Sequence, residues 1–274
     1  MAATRANGWA AGCDLRLSLP AIEPVRMMAV RGILQTGETL DPNAQGICMT
    51  DPHPAGKSRD EIALAYKSEP WWYDLRGFFI LTFAYNSTLL NQLRFFGPNF
   101  GPKHLEVACG TGTLLELVLR WRRWKGLPKV DIVGVDYAES MLAGAVRRFK
   151  GQPNLRFQHA DAAQLPFADN SFDSANIANS VHCFPDAASA MRGVFRVLKP
   201  GAALAANVLL YPRGSKLMNA IATRINEWGV RKGILYTPYL AEDFTKLLTA
   251  AGFKVQRQDF SGNCLNIVAH KPLQ

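Results

Sequence analysis

The sequence has few cysteines, and their spacing defines neither a disulfide framework nor a zinc site. The chain carries five, and no two of them stand in a C-x-x-C arrangement: Cys13, Cys48, Cys109, Cys183 and Cys264. Disulfide frameworks and structural zinc sites depend on paired cysteines at characteristic spacings. We therefore expect a reducing, cytoplasmic compartment and no bound metal ion.

Long apolar runs are also missing. The longest stretch, residues 77–85, is too short to cross a bilayer, and the first 60 residues lack the continuous apolar core of a secretory signal. At 274 residues, of which 48% are apolar, the chain is long enough for one domain with a sizeable core. We interpret residues 1–58 as a partly ordered extension, which could pack on a neighbour or cover the site, and residues 59–274 as the domain. The chain could form a homo-oligomer.

A glycine-containing turn is the most informative motif that is present. Residues 104–113 read HLEVACGTGT, which predicts an apolar strand opening into a turn and a helix. Residues 130–136, VDIVGVD, predict a second buried strand that ends in Asp136. Glycines allow the backbone to approach a ligand closely, and an acid after the next strand accepts hydrogen bonds from ribose hydroxyls. Together these segments predict a nucleotide site.

The absence of a third glycine separates two classes of cofactor. A dinucleotide fingerprint requires G-x-G-x-x-G, whereas Leu115 occupies the third position after Gly110 and Gly112. Glu106 lies four residues ahead of Gly110, where an acid repels a pyrophosphate and attracts a cationic amino group. The implied ligand has an amino group and a ribose but no phosphate, and S-adenosylmethionine (SAM) fits this description.

The rest of the chain alternates predicted strands and helices, as a doubly wound α/β sheet does. Further strands are predicted at 155–161, 174–180 and 203–210. A helix at 241–251 then precedes two strands, 253–260 and 264–270, which are joined by a turn at residues 261–263. We expect a seven-stranded Rossmann-like sheet that ends in an antiparallel hairpin, with an N-terminal helical lid.

Four motifs in the expected order resemble those of the class I SAM-dependent methyltransferases. They are LEVACGTG at 105–112, DA at 161–162 with LPFADNSFD at 165–173, RVLKPG at 196–201, and AGF at 251–253. Ala202 departs from the pattern, because the family usually has a second glycine there. The resemblance is closest to the C-methyltransferases of ubiquinone and menaquinone biosynthesis and to related small-molecule methyltransferases.

The resemblance implies a role for each matching residue. Glu106 and the backbone of residues 108–112 would bind the amino-acid part of SAM, and Asp136 would bind the ribose hydroxyls. Asp136 could instead cap the following helix, because aspartate also suits that position. The predicted cofactor residues are Tyr66, Tyr73, Glu106, Ala108, Gly110, Thr111, Gly112, Asp136, Tyr137, Met141, Asp161, Ala162 and Asn179. Within this set, the ring of residue 137 and the side chain of residue 141 would sandwich the adenine, and residues 161–162 would hold its edge.

Two segments are expected to contact the reacting end of the cofactor. Tyr66 and Tyr73 belong to an aromatic stretch that resembles a lid over the methionine part of SAM, although packing on the sheet explains them equally well. His182 lies in the segment 179–184, NSVHCF, after the fourth predicted strand. A histidine pKa lies near neutrality, so His182 is the candidate general base, with packing as the alternative.

The net charge of +9 raises the question of nucleic-acid binding. Basic residues concentrate at 115–130, where a helix dipole favours them, and at 211–240. The second stretch is predicted to cap an acceptor pocket through Trp228, Tyr236 and Tyr239, which suits a flat or apolar acceptor bearing a carboxylate or phosphate. Residues 179–182 lack the Asn/Asp-Pro-Pro-aromatic loop of base methyltransferases, so nucleic acid is disfavoured. An RNA methyltransferase and a catalytically silent SAM-binding subunit remain alternatives, and the methylated atom stays open.

Overall fold

A computed structural model describes residues 80, 85, 87–232 and 238–273, and these residues contain a mixed seven-stranded sheet. The strands are β1 (Lys103–Val107), β2 (Asp131–Asp136), β3 (Leu155–His159), β4 (Phe172–Ile177), β5 (Leu198–Leu209), β6 (Lys254–Ser261) and β7 (Cys264–His270). The helices are α1 (Leu89–Phe96), α2 (Thr113–Trp124), α3 (Glu139–Arg148), α4 (Ala187–Val197), α5 (Lys216–Lys232) and α6 (Ala241–Ala250). Single 3-10 turns occupy Ala162–Gln164 and Val181–Cys183.

The strand order is β3-β2-β1-β4-β5-β7-β6. Strands β1 to β5 are parallel, whereas β7 runs antiparallel to both β5 and β6. The chain places β2 and β3 on one side of β1 and then returns to place β4 on the other side. The carboxyl ends of β1 and β4 therefore border a crevice, and open α/β sheets bind their ligands in such a crevice. This topology confirms the predicted doubly wound, Rossmann-like sheet with its terminal hairpin.

Three predicted strand boundaries were wrong. The third strand ends at His159 rather than residue 161, because Asp161 caps the 3-10 turn that follows. The fourth ends at Ile177, since Asn179 adopts a positive φ of 54° that a strand cannot continue through. The fifth begins at Leu198, five residues earlier than predicted, and pairs there with Phe172.

The two faces of the sheet are covered differently. On one face, α4 and α6 bury an extensive apolar cluster that includes Leu105, Ile177 and Leu204, none of which is exposed to solvent. On the other face, α1, α2 and α3 pack over smaller clusters. Between those clusters lies a row of buried polar side chains on β1, β4, β5 and β7: His104, Glu106, Ser174, Asn176, Asn207 and Asn266. We call this row the polar face and the opposite side the apolar face.

Lys271 ties the residues after β7 back to the sheet. Its Nζ donates to Asn170 Oδ1 at 2.8 Å and to the carbonyls of Leu198 and Phe195 at 2.8 and 3.1 Å. Its backbone bonds both Gly201 and Ala202 at the edge of β5. One side chain therefore joins the loop before β4, the end of α4 and the start of β5.

Several predictions fall outside the described residues. They concern the extension 1–58, the lid tyrosines Tyr66 and Tyr73, and the acceptor residue Tyr236. Within the described ranges, no helix combines the length and the apolar character that spanning a bilayer requires.

Candidate functional site

A cleft opens at the carboxyl ends of β1, β2 and β4 and encloses about 890 Å³, its open mouth included. Predicted residues line much of it: Ala108, Gly110, Asp136, Tyr137, Met141, Asp161, Ala162 and Asn179. The remaining lining comes from the ends of β1 and β2 and from the segments beginning at residues 160 and 180: Val107, Val135, Ala138, Ala160, Ala163, Ser180, Cys183, Phe184, Pro185, Asp186 and Ala190.

The glycine turn shapes the wall of the cleft between β1 and α2. Gly110 and Gly112 both have positive φ, 57° and 74°, a region that glycine enters without steric cost. A Cβ at residue 112 would also lie 2.7 Å from the Phe149 ring, so α2 and α3 approach closely here. Thr111 lies between the two glycines and is itself buried. Neither Thr111 nor Gly112 is among the residues that line the cleft.

Asp136 connects the glycine turn to the end of β2. Its Oδ2 accepts the amide hydrogen of Gly110 at 2.8 Å, and its Oδ1 accepts that of Ala138 at 2.8 Å. Burial raises the carboxyl pKa, while these amide hydrogen bonds oppose the increase. The N-cap of α3 is Ala138, so Asp136 does not cap that helix directly. A carboxylate offers about four acceptor positions, so Asp136 retains capacity for a ribose hydroxyl.

The residues predicted around the adenine surround one end of the cleft. Asp161 accepts from the Ala163 amide at 2.9 Å and begins the 3-10 turn that also contains Ala162. Met141 lies on the buried side of α3. The Tyr137 ring lies 5.3 Å from that of His159, whose Nε2 approaches the Tyr137 carbonyl at 2.8 Å. All four residues therefore line the cleft, and their contact with an adenine stays a prediction.

Glu106 lies below the cleft, within the polar face, and not among the lining residues. Its Oε2 lies 3.2 Å from His104 Nε2, and His104 Nδ1 lies 2.7 Å from Ser174 Oγ. Burial raises the Glu106 pKa to about 8, opposed by a hydrogen bond from Asn176, and burial lowers that of His104 well below its usual value. This carboxyl is therefore protonated at neutral pH, and its predicted contact with the SAM amino group stays a prediction.

Asn179 is held at the cleft wall by a partner that sequence reasoning missed. Asn207, on β5, accepts the Asn179 backbone amide at 2.6 Å and donates to its side-chain oxygen at 2.9 Å. Asn207 also donates to Gln92 of α1 at 3.1 Å and has no exposed surface. The positive φ of Asn179 is a conformation that asparagine tolerates better than most residues. A buried asparagine within the apolar run 203–210 was the available signal.

His182 is buried beside the cleft and contacts an aromatic hydroxyl. Its Nε2 lies 2.9 Å from Tyr85 Oη, and the two rings meet edge to face at 5.7 Å between centroids. Burial lowers the His182 pKa to about 3, so the ring is neutral at physiological pH. Its neighbours Ser180 and Cys183 line the cleft, whereas His182 itself turns toward Tyr85 and Leu209.

The described acceptor residues lie at different places. Trp228, on α5, is 36% exposed. Tyr239 is half-buried, pairs with Leu210 in a short bridge and packs edge to face on Phe244 at 6.1 Å. Neither residue lines the cleft, and their contact with an acceptor stays a prediction.

Sequence comparison identifies the domain. Residues 105–206 match the family model described as a methyltransferase domain. Demethylmenaquinone methyltransferases from several strains of Staphylococcus aureus are 36% identical over 105 residues, which is 38% of this chain. The match spans 42% of the length of those relatives.

Structural comparison shows the same fold in several proteins of low sequence identity. A SAM-dependent methyltransferase from Aquifex aeolicus aligns with a TM-score of 0.56 and 20% identity over 75% of this chain and 100% of that chain. A putative Haloferax volcanii methyltransferase, solved with the Trm112 methyltransferase activator, aligns with a TM-score of 0.57 and 18% identity. This alignment covers 79% of this chain and 100% of that chain. A [4+2]-cyclase aligns with a TM-score of 0.53 and 20% identity, over 68% of this chain and 81% of that chain.

Residues 105–206 are similar to methyltransferase domains, and the fold around them is the one that SAM-dependent methyltransferases share. S-adenosylmethionine is the cofactor of this class, and the described residues fit it. The turn around Gly110 leaves room for a ligand near the backbone, Asp136 offers a carboxylate at the end of β2, and the segment from Ala160 to Ala163 offers a small-residue wall. Across the described ranges, no group of three His, Cys, Asp or Glu side chains gathers as a metal site would.

Proposed function

We propose that this chain transfers a methyl group from SAM to a small, largely apolar or aromatic acceptor, at carbon, oxygen or nitrogen. The observation that carries the proposal is the link between Gly110 and Asp136 at the cleft, because it joins the glycine turn to the acid that would bind the ribose. The demethylmenaquinone methyltransferases, which are similar to this chain over 105 residues, support an acceptor of quinone type.

The residues of the chain would act by binding and positioning. When bound, SAM supplies a methyl group on a sulfonium that is already activated toward displacement. Asp136 would hold the ribose, and Ala108 and Gly110 would shape the backbone wall beside the amino-acid part. Holding two reactants in the correct geometry can supply much of the rate in such a displacement. The protein's first task is therefore to align the acceptor and exclude water.

His182 is the proposed proton acceptor when the substrate must lose a proton. A neutral ring can accept a proton, but burial lowers the His182 pKa to about 3, which makes it a weak base, since a base acts best when its pKa lies near the working pH. Its hydrogen bond to Tyr85 fixes the ring orientation. The rate of methyl transfer should therefore show no inflection near pH 6.5, the pKa of an ordinary histidine.

Methyl transfer from labelled SAM tests the proposal directly. The acceptors would be naphthols, quinols reduced under anaerobic conditions, and an unstructured RNA assayed at moderate salt. We expect label in the aromatic products and none in the RNA. The fold alone does not fix the reaction, since a cyclase shares it. Binding of SAM without transfer to any aromatic acceptor would therefore contradict the proposed activity and favour a silent SAM-binding subunit, and label in the RNA would favour the RNA methyltransferase.

A further inference from the structure

Asn226, near the middle of α5, is a buried amide without a hydrogen bond. The residue is 6% exposed, and within the described ranges neither its Nδ2 nor its Oδ1 has a partner. Other buried amides of this protein are bonded: Asn207 makes several bonds, and Asn176 Oδ1 accepts from Asn99 at 2.9 Å. Asn226 therefore departs from the pattern that the rest of the protein follows.

An unpaired buried amide lowers stability, because it gives up hydrogen bonds to water and receives nothing in return. Native proteins contain few such groups, and each calls for a physical explanation. Small residues flank Asn226 one turn away on the same side of the helix: Ala222, which has no exposed surface, and Gly229, which is also buried. Neither side chain carries a polar atom that could pair with the amide.

The residue next to Asn226 on α5 connects this helix to the surroundings of His182. The preceding residue, Ile225, packs against Tyr85 and Leu209. Tyr85 in turn bonds His182, whose neighbour Cys183 lines the cleft. Trp228, two residues further along α5, lies more than a third exposed, so the buried side of α5 is the one that Asn226 occupies.

We propose that Asn226 is an acceptor-binding residue, which hydrogen-bonds a hydroxyl or carbonyl oxygen on a flat, apolar substrate. This inference rests on the proposed function and specifies the class of acceptor. An amide is neutral and offers both a donor and an acceptor, so it matches a neutral oxygen substituent. A carboxylate or phosphate on the acceptor, which the basic residues of 211–240 had suggested, would instead require a cation at this position.

The test compares Asn226→Leu with the wild type in the full-length chain. Leucine has a similar volume and no polar atoms. We expect its melting temperature without ligand to rise by about 2–4 °C, because an unpaired buried amide is removed. Binding of 2-naphthol, measured by calorimetry with S-adenosylhomocysteine present, should weaken about tenfold or more, since the hydroxyl loses its partner. Binding of naphthalene, which has no hydroxyl, should change little.

The control is Thr223→Val, an exposed position on the same helix, which should alter neither quantity. A lower melting temperature with unchanged 2-naphthol affinity would overturn the proposal and assign Asn226 a structural role. Equal losses for 2-naphthol and naphthalene would refute the hydrogen bond, and a wild type that binds neither would refute this acceptor class. Affinity for S-adenosylhomocysteine is measured in a separate titration. A wild type that does not bind S-adenosylhomocysteine would contradict the proposed function rather than the role of Asn226.

Discussion

The apolar and polar faces of the central sheet use the same backbone scaffold for opposite purposes. Leu105 and Leu204 face α4 and α6 within a contiguous hydrocarbon cluster, whereas Glu106 and Asn207, which lie on the same two strands, face the other way. Successive side chains on a strand alternate between faces, so one residue of register separates the two environments. Burial of hydrocarbon on the apolar face stabilises the fold. Burial of polar side chains on the polar face carries a desolvation cost that offsets part of this stabilisation.

What the polar face provides is geometry at the cleft. Asn207 fixes the strained backbone of Asn179, and the pair His104 and Glu106 lies directly below the glycine turn. Buried polar groups stabilise little on balance, but once their bonds are formed they specify one arrangement. We therefore expect substitutions on the apolar face to change stability, and those on the polar face or at the cleft to change ligand affinity.

The largest effect on stability is expected on the apolar face. Leu204→Ala should lower the free energy of unfolding by about 2–5 kcal/mol, because it removes buried methyl groups and leaves a cavity. Urea denaturation measures the change. SAM affinity of the remaining folded protein should stay within about twofold of the wild type, since no cleft residue is touched. A tenfold loss of affinity would show that the two faces are not separate in function.

Asp136→Ala tests the cleft itself. We expect SAM affinity, measured by calorimetry, to fall by an order of magnitude or more, because the ribose acceptor and the partner of the Gly110 amide disappear together. Asp131→Ala provides the matched control, since this exposed acid lies at the opposite end of the same strand. Unchanged affinity in the Asp136 variant would remove that residue from the ribose site.

Asn207→Leu tests whether the polar face positions the cleft wall. The substitution leaves the Asn179 amide without an acceptor, so we expect a loss of about 1–2 kcal/mol in unfolding free energy and a several-fold loss in SAM affinity. Asn207→Asp is the sharper comparison, because it keeps an oxygen for that amide. Partial recovery of SAM affinity in the aspartate variant is expected, and equal losses in both variants would contradict the positioning role.

The smallest expected effect is a pH dependence of the unfolding free energy that comes from Glu106 on the polar face. Since the Glu106 pKa is about 8 in the folded protein and about 4.5 when unfolded, the folded state holds this proton more tightly, and its contribution is lost as pH rises through 8. Between pH 7 and 8 the wild type should lose roughly 1 kcal/mol relative to Glu106→Gln. His104 titrates only below its usual range, so it does not interfere. Parallel pH profiles for the two proteins would contradict the buried, protonated carboxyl.

Much of this contrast could be anticipated from the sequence. The second strand was predicted at 130–136 because its apolar residues form one run, and Asp136 marks its end. The positions of Gly110 and Gly112 followed from the requirement for close backbone approach. Both inferences depend on residues that are close together in the chain, so a single sequence is sufficient to make them.

The remaining features depend on register and on distant partners. Asn207 interrupts an apolar strand, but nothing in the sequence shows that it reaches Asn179. Asn226 and Trp228 stand two positions apart on one helix, and the helix register buries the amide while leaving more of the indole exposed. His182 was predicted to be a general base because the pKa of an ordinary histidine lies near neutrality. The burial that lowers the His182 pKa arises only from the assembled fold.

Lys271 sets a practical limit for anyone who shortens this chain or fuses a reporter to it. A cut that keeps Lys271 retains the three hydrogen bonds of its ammonium group, whereas a cut after His270 removes them together with the backbone bonds to β5. The edge of β5, the end of α4 and the loop before β4 would then separate more easily. Leu273 is 80% exposed, so a linker that starts there meets open solvent and leaves the bridge in place.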